Sequence, residues 1–209
     1  MRGLPPWILL LVVLGFLIIS GIDPVADRFT WIMETTPVMV GAIILLLSYK
    51  NFPLTPLTYH LLAFHAFILI VGGYYTYAEV PLFNSLQETF GMARNHYDRV
   101  AHFIQGFVPA ILAREILIRL SCLKPGGWLF LLTTSFCLAF SALYEMIEWA
   151  AAIFTEEGAA AFLGTQGDQW DTQWDMFLAL CGAIIAQLLL SAYHNNQIEK
   201  YKESLHKSG

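Results

Sequence analysis

Apolar residues run along this chain in six long blocks separated by short polar or turn-forming stretches. The blocks are too continuous for half-buried surface helices and read as lipid-facing or buried ones. They predict helices near residues 6–22, 31–49, 57–77, 98–121, 128–154 and 174–194. Pro24, Pro53 with Pro56, and Lys124-Pro125-Gly126-Gly127 supply the breaks, since these residues stop helices or take turn conformations. Pro37 and Pro109 fall inside blocks, where membrane helices tolerate them as kinks. About 20 apolar residues span the hydrocarbon core, so the pattern predicts an all-α polytopic protein of about six transmembrane helices. Residues 1–194 form one integral membrane domain, and 195–209 a polar cytoplasmic tail.

Composition removes the competing classes. A chain of 209 residues that is 57% hydrophobic and 13% charged, with mean hydropathy +0.59, is too apolar for a soluble domain. The net charge of −5 and the dispersed Lys and Arg residues give no basic surface for nucleic acid. Cys122, Cys137 and Cys181 share no CxxC spacing and are odd in number, which excludes a disulfide framework and leaves them as small apolar residues. The first block follows Arg2 and resembles a signal peptide, but its length and the poor cleavage site at Ser20-Gly21-Ile22 predict an uncleaved helix.

Charge then orients the helices. Counted on alternating sides, eight Lys and Arg fall with the two termini and three, Arg28, Arg94 and Arg99, fall opposite. Positive loops stay in the cytoplasm, so both termini are expected there. That assignment places Glu34, Asp98, His102, Glu145, Glu148 and Asp175 at outward-facing helix ends, as an acidic vestibule sunk into the membrane.

Three spacings carry the candidate chemistry. Asp98 and His102 are four apart and share a helical face, where they suit a shared divalent metal, a base with its orienting acid, or a cap and a bonded core histidine. Glu145 and Glu148 are three apart after a long apolar run. Like carboxyls on a low-dielectric face require a proton or a cation between them, or structural partners, and an intramembrane acid costs roughly 2.5–3.5 kcal/mol to insert. Asp168, Asp171 and Asp175 form a stripe at the entrance to the last helix. Their oxygens suit magnesium, calcium or manganese, and adding His102 admits zinc or iron; the alternative is a solvated turn whose aspartates cap the helix. Trp170 and Trp174 read as interfacial anchors. His60 and His65, five apart, read as separate bonded core residues, His96 as a loop residue beside the site, and Arg114, Glu115 and Arg119 as groups that reach headgroup phosphates.

These residues also carry a resemblance. Tyr97-Asp98-Arg99-Val100-Ala101-His102, Glu145-Met146-Ile147-Glu148-Trp149 and the segment from Gly164-Thr165-Gln166-Gly167-Asp168 to Asp175 resemble the YjdF-like family of bacterial inner-membrane proteins, which implies a multi-pass inner-membrane protein and supplies no activity. A more distant similarity reaches the VanZ-like membrane proteins, with their Asp-Lys/Arg-x-x-His, Glu-x-x-Gln and Asp-x-x-x-Asn-x-x-Gly elements. Asp98, Arg99, His102, Glu145, Asp175 and Gly182 fit that pattern, while Glu148 replaces its Gln and Ala179 its Asn. The link of that family to glycopeptide tolerance implies a site at the outer face of the membrane.

The leading expectation is a periplasm-facing site in which Asp98, His102, Glu145, Glu148, Asp168, Asp171 and Asp175 hold one divalent metal ion. Glu145, Glu148 and His102 would supply acid–base catalysis on an envelope lipid or lipid-linked molecule, or recognise it. Two alternatives stand beside it: a proton- or cation-coupled transporter with Glu145 and Glu148 as protonation sites, and a non-catalytic scaffold whose acids pair with Arg94 and Arg99. No nucleophile motif or nucleotide fingerprint accompanies these residues.

Overall fold

Proline decides where several of the helices start. In the computed structural model, which describes residues 4–154 and 165–206, α1 (Pro6–Ser20), α3 (Pro56–Tyr75) and α4 (Pro81–Phe90) each open on a proline. The N–H that proline lacks would have no helical partner at that position. α2 (Arg28–Ser48) opens instead on Asp27, whose Oδ1 accepts the amides of Phe29 at 2.9 Å and Thr30 at 3.0 Å. α5 (Tyr97–Leu120), α6 (Gly127–Phe154) and α7 (Asp171–His206) complete the order, with one 3-10 turn at Tyr77–Glu79 between α3 and α4. Strands are absent among the described residues. Gly164 and the final three residues of the expected tail lie outside them.

Four helices, α2, α3, α6 and α7, are long and apolar enough to cross a membrane. α1 is apolar but has 15 residues, about 22 Å at helical rise, short of the roughly 30 Å hydrocarbon core. α5 has the length, with 24 residues, yet carries Asp98, Arg99, His102, Arg114, Glu115 and Arg119. Its position accounts for that polarity. Twelve of its residues are buried, and it packs against α3, α6 and α7, so its ionisable groups face protein instead of lipid. The outer surfaces of the other spans expose Leu47, Leu132, Phe136, Leu188 and Leu189, as lipid-facing helices should.

The closest crossing joins α5 to α7. A Cβ added to Gly106 would lie 1.8 Å from the carbonyl oxygen of Ala179, and one added to Gly182 would lie 2.0 Å from that of Phe103. The backbones therefore touch, as small residues permit in membrane helix pairs. His102 lies one turn before Gly106 and Asp175 one turn before Ala179, so this crossing sets those two side chains opposite each other. Below it, Ala110, Ile111, Cys137, Ala183 and Ala186 form an apolar core between α5, α6 and α7. Val13, Leu17, Val38 and Ile70 seal α1, α2 and α3.

α4 and the length of α7 are new relative to the apolar pattern. Residues 195–206 continue α7 without a break. His194 and Ile198 are buried, and Gln197 accepts the amide of Leu57 at 3.0 Å. This stretch packs on the start of α3.

Candidate functional site

Two arginines at the start of α5 gather the aspartates at the start of α7. Arg94 donates to Asp171 at 2.5 Å and to Asp98 at 3.4 Å. Arg99 donates through Nη1 to Asp175 at 2.5 Å, and through Nη2 to Asp171 at 2.7 Å and Asp168 at 3.0 Å. The second oxygen of Asp168 accepts the Trp170 amide at 2.9 Å, a turn-forming bond. Thus the stripe at 168, 171 and 175 is charge-compensated by guanidinium groups, and it latches α7 onto α5. Trp170 and Trp174 beside it are exposed.

Asn95, fully buried, ties this lattice to its surroundings. Its amide N–H donates to Gln166 Oε1 and its carbonyl accepts from Gln166 Nε2, both at 2.9 Å. Its side chain donates to Asn84 Oδ1 at 2.6 Å and accepts the Tyr97 amide at 2.9 Å. Gln166 has φ of 48°, a left-handed conformation that is unfavourable for a side-chain-bearing residue; the paired bonds to Asn95 hold it there. His96, next in the chain, is pushed below its ordinary pKa by burial and by the charges of Arg94 and Arg99.

Beneath this roof lies a cavity of about 40 Å³. One buried water needs roughly 10–15 Å³ on the same measure, so the space suits an ion with a few waters and excludes a lipid headgroup. Asp98, His102, Glu148 and Asp175 line it, together with Glu34 from α2, His65 from α3, and Tyr77. Asp98, His102 and Asp175 each offer a ligand atom, and all three atoms lie within 4.8 Å of one another. His102 Nε2 is 3.4 Å from Asp98 Oδ1, while Nδ1 faces Glu145 Oε1 across 3.9 Å. Both His102 Nδ1 and Glu145 Oε1 are buried without a hydrogen-bond partner.

The residues expected from spacing therefore divide. Asp98, His102 and Asp175 converge, Glu145 stands behind the imidazole, Glu148 lines the cavity, and Asp168 and Asp171 belong to the arginine lattice. Two lining groups outside the expected site set are Glu34, 3% exposed, and His65. Glu34, an acid inside an apolar block, was a visible signal; its bond from Tyr77 was not. Burial, and then the Glu34 carboxyl, push the Tyr77 hydroxyl well above its ordinary pKa, which keeps it a donor. His65, expected as a bonded core residue, also lines the cavity, and its Nε2 is buried without a hydrogen-bond partner. His60 contacts its own helix through Nδ1 and the Pro56 carbonyl at 2.6 Å.

The far end of the α5–α7 pair holds a second polar cluster. Glu115, fully buried, accepts from the Thr55 amide and hydroxyl at 2.8 Å each, the Thr58 hydroxyl at 2.6 Å and Arg119 at 2.7 Å. His194 Nε2 lies 3.2 Å away. Arg114 donates to Asn195 at 2.7 Å, and Arg119 also donates to the Pro53 carbonyl and sits over the Phe52 and Tyr201 rings. These three residues were expected to reach headgroup phosphates, and the structure corrects that. They are turned inward because α3 and α7 cover the face of α5 that carries them.

Comparison with known proteins gives one family and one relative. The family described as "Predicted membrane protein (DUF2238)" matches residues 5–196. The chain is 49% identical over 185 residues to the inner membrane protein YjdF of Escherichia coli (strain K12), an alignment that covers 88% of each chain. No solved structure matches.

Proposed function

The chain belongs to the family of predicted membrane proteins DUF2238, and from that premise we propose that it is a multi-pass inner-membrane protein with a divalent-cation site on Asp98, His102 and Asp175. The site lies at the periplasmic end of the helix bundle, with both termini cytoplasmic. One observation carries the reading: three ligand atoms converge within 4.8 Å, and the imidazole among them has an unpartnered buried nitrogen facing an unpartnered carboxylate oxygen. Metal-binding histidines characteristically donate their second ring N–H to such a carboxylate, which fixes the tautomer. Glu145 stands in that position. Mixed carboxylate and imidazole donors favour manganese, zinc or iron over calcium.

Three protein ligands leave coordination positions open for water or a substrate oxygen. Glu148 is the residue we assign as general base, with Glu145 and His102 as its partners in proton handling. The cavity admits a reacting oxygen and not a whole headgroup, so an envelope lipid or lipid-linked substrate would present its phosphoryl or carbonyl group at the mouth.

A scaffold is the second reading, and the arginine lattice favours it, because that lattice pairs Asp98 and Asp175 as well as Asp168 and Asp171. A coupled transporter is weakened by the apolar core of Ala110, Ile111, Cys137, Ala183 and Ala186, none more than 2% exposed, which separates the cavity from the Glu115 cluster.

The deciding experiment measures metal content and cation-dependent thermal stabilisation of the detergent-purified protein. Wild type and Asp168→Asn should retain one cation and its stabilisation, while His102→Ala and Asp98→Asn lose both. Folded protein that neither retains nor responds selectively to any divalent cation would overturn the site and leave the scaffold.

A further inference from the structure

The helix α4 connects two helices of the bundle yet buries none of its ten residues. Leu82, Phe83, Leu86 and Phe90 fall within an arc of about 100° at helical spacing, and Asn84, Ser85 and Glu88 face away. Of the apolar four, Phe83 packs edge-on against Tyr97 with ring centroids 5.2 Å apart. Leu82 and Phe90 are 66% and 71% exposed.

We propose that α4 is an interfacial helix, lying along the leaflet next to the arginine–aspartate lattice with Leu82, Leu86 and Phe90 seated in lipid. Connectivity fixes its level. α3 ends at Tyr75 and α5 begins at Tyr97, so the linking helix sits at the ends of the two helices it joins, where Trp170 and Trp174 are also exposed. Phe83 turns one edge of the stripe to the bundle and Leu86 is half-buried, which leaves Leu82 and Phe90 outermost. It is also held in place: Asn84 accepts from Asn95, and Gly91, with φ of 62°, terminates the helix while Met92 donates back to Gln87 at 2.9 Å.

The chemistry of the partner follows from the side chains. Glu88 is the sole charge on α4 and no Lys or Arg accompanies it, so anionic headgroups are not what binds. Apolar burial at the headgroup–acyl boundary is what seats such a helix. Because Asn95 bonds both Asn84 and Gln166, the depth of α4 sets the height of the roof over the cavity.

The test uses the full chain in nanodiscs holding one copy each, with Cys122, Cys137 and Cys181 replaced by Ala. A polarity-sensitive fluorophore is placed at Leu82→Cys, Phe90→Cys, Ser85→Cys or Glu88→Cys in turn. Labels at 82 and 90 should emit blue-shifted and be quenched by shallow nitroxide-bearing phosphatidylcholine. Labels at 85 and 88 should be quenched by aqueous iodide, and replacing a third of the lipid with an anionic one should change neither result. Equal iodide access at all four positions would overturn the proposal. So would protection at 82 and 90 that is absent in these discs and present in larger discs holding two copies, which would assign the stripe to a second copy, or protection that requires anionic lipid.

Discussion

Replacing Glu115 by Ala should be among the most destabilising single changes in this chain. The carboxylate is fully buried and accepts from Thr55, Thr58 and Arg119, with His194 beside it. It joins α3, α5 and α7. Removing one partner of a buried charge pair costs about 3–5 kcal/mol because the other is left behind. Arg119 softens this, since it keeps the Pro53 carbonyl and two aromatic faces. The Thr55 amide has no such substitute, and an orphaned buried donor costs about 1–3 kcal/mol. These contributions overlap, so about 3–5 kcal/mol is expected in total. At about 2–4 °C per kcal/mol for a chain of this size, the apparent Tm in detergent should fall by roughly 6–20 °C. The assay is the temperature at which half the purified protein leaves the monodisperse peak on size exclusion. Glu145→Gln is the comparison: Glu145 Oε1 makes no hydrogen bond and the glutamine keeps an oxygen that can accept from Thr172, so its shift should be small. A Glu115→Ala shift no larger than that of Glu145→Gln would refute the argument that the cluster is a structural clamp.

Two further outcomes test the arginine lattice and the first cap. Arg99→Gln removes an ion pair from each of Asp168, Asp171 and Asp175, with Arg94 still paired to Asp171, and should destabilise by about 3 kcal/mol; Arg99→Lys should recover only part, since an ammonium cannot bridge three carboxylates in a fork. Equal melting of Arg99→Lys and wild type would show that charge alone suffices. Asp27→Ala should cost about 1 kcal/mol at neutral pH through loss of the α2 cap. Its carboxyl is held below the usual range, first by the Thr30 hydroxyl and then by the Thr30 amide. A depressed folded pKa gives stability that is present above the unfolded value and lost as pH falls through the folded one. The difference between wild type and Asp27→Ala should therefore shrink below about pH 4, and a difference that persists in acid would contradict that origin.

Long apolar blocks made five of the helices legible, and polar breaks located α5 despite its charges. α4 escaped because ten residues with an apolar stripe form no block, and only its period of 3.6 marks it. Residues 195–206 read as a tail because polarity along one helix is silent about a neighbour that covers it; Gln197 bonds the start of α3 and Ile198 is buried. The same blindness turned Glu115 outward in the reading and inward in the fold. Within the site, spacing found Asp98 with His102, which lie on one helix, and the aspartate stripe. The scaffold alternative named Arg94 and Arg99 as partners of the acids, but spacing could not show which aspartates they would meet from more than 65 positions away, nor that His65 would open onto the cavity.

The separation of Arg94 from Asp171, 77 residues along the chain, has a bearing on biogenesis. At synthesis rates of 5–20 residues per second, about 4–15 s pass between the two. During that interval α5 has emerged with Arg94 just before it and Arg99 in its first turn, and neither has its counter-ions from α7. Its entry into the bilayer is therefore contingent on a helix made later, and α5 should settle in the membrane only as α7 arrives. In a ribosome-bound chain stopped before residue 171, a cysteine placed in the middle of α5 should stay open to a water-soluble thiol reagent, and it should become protected once α7 has been made.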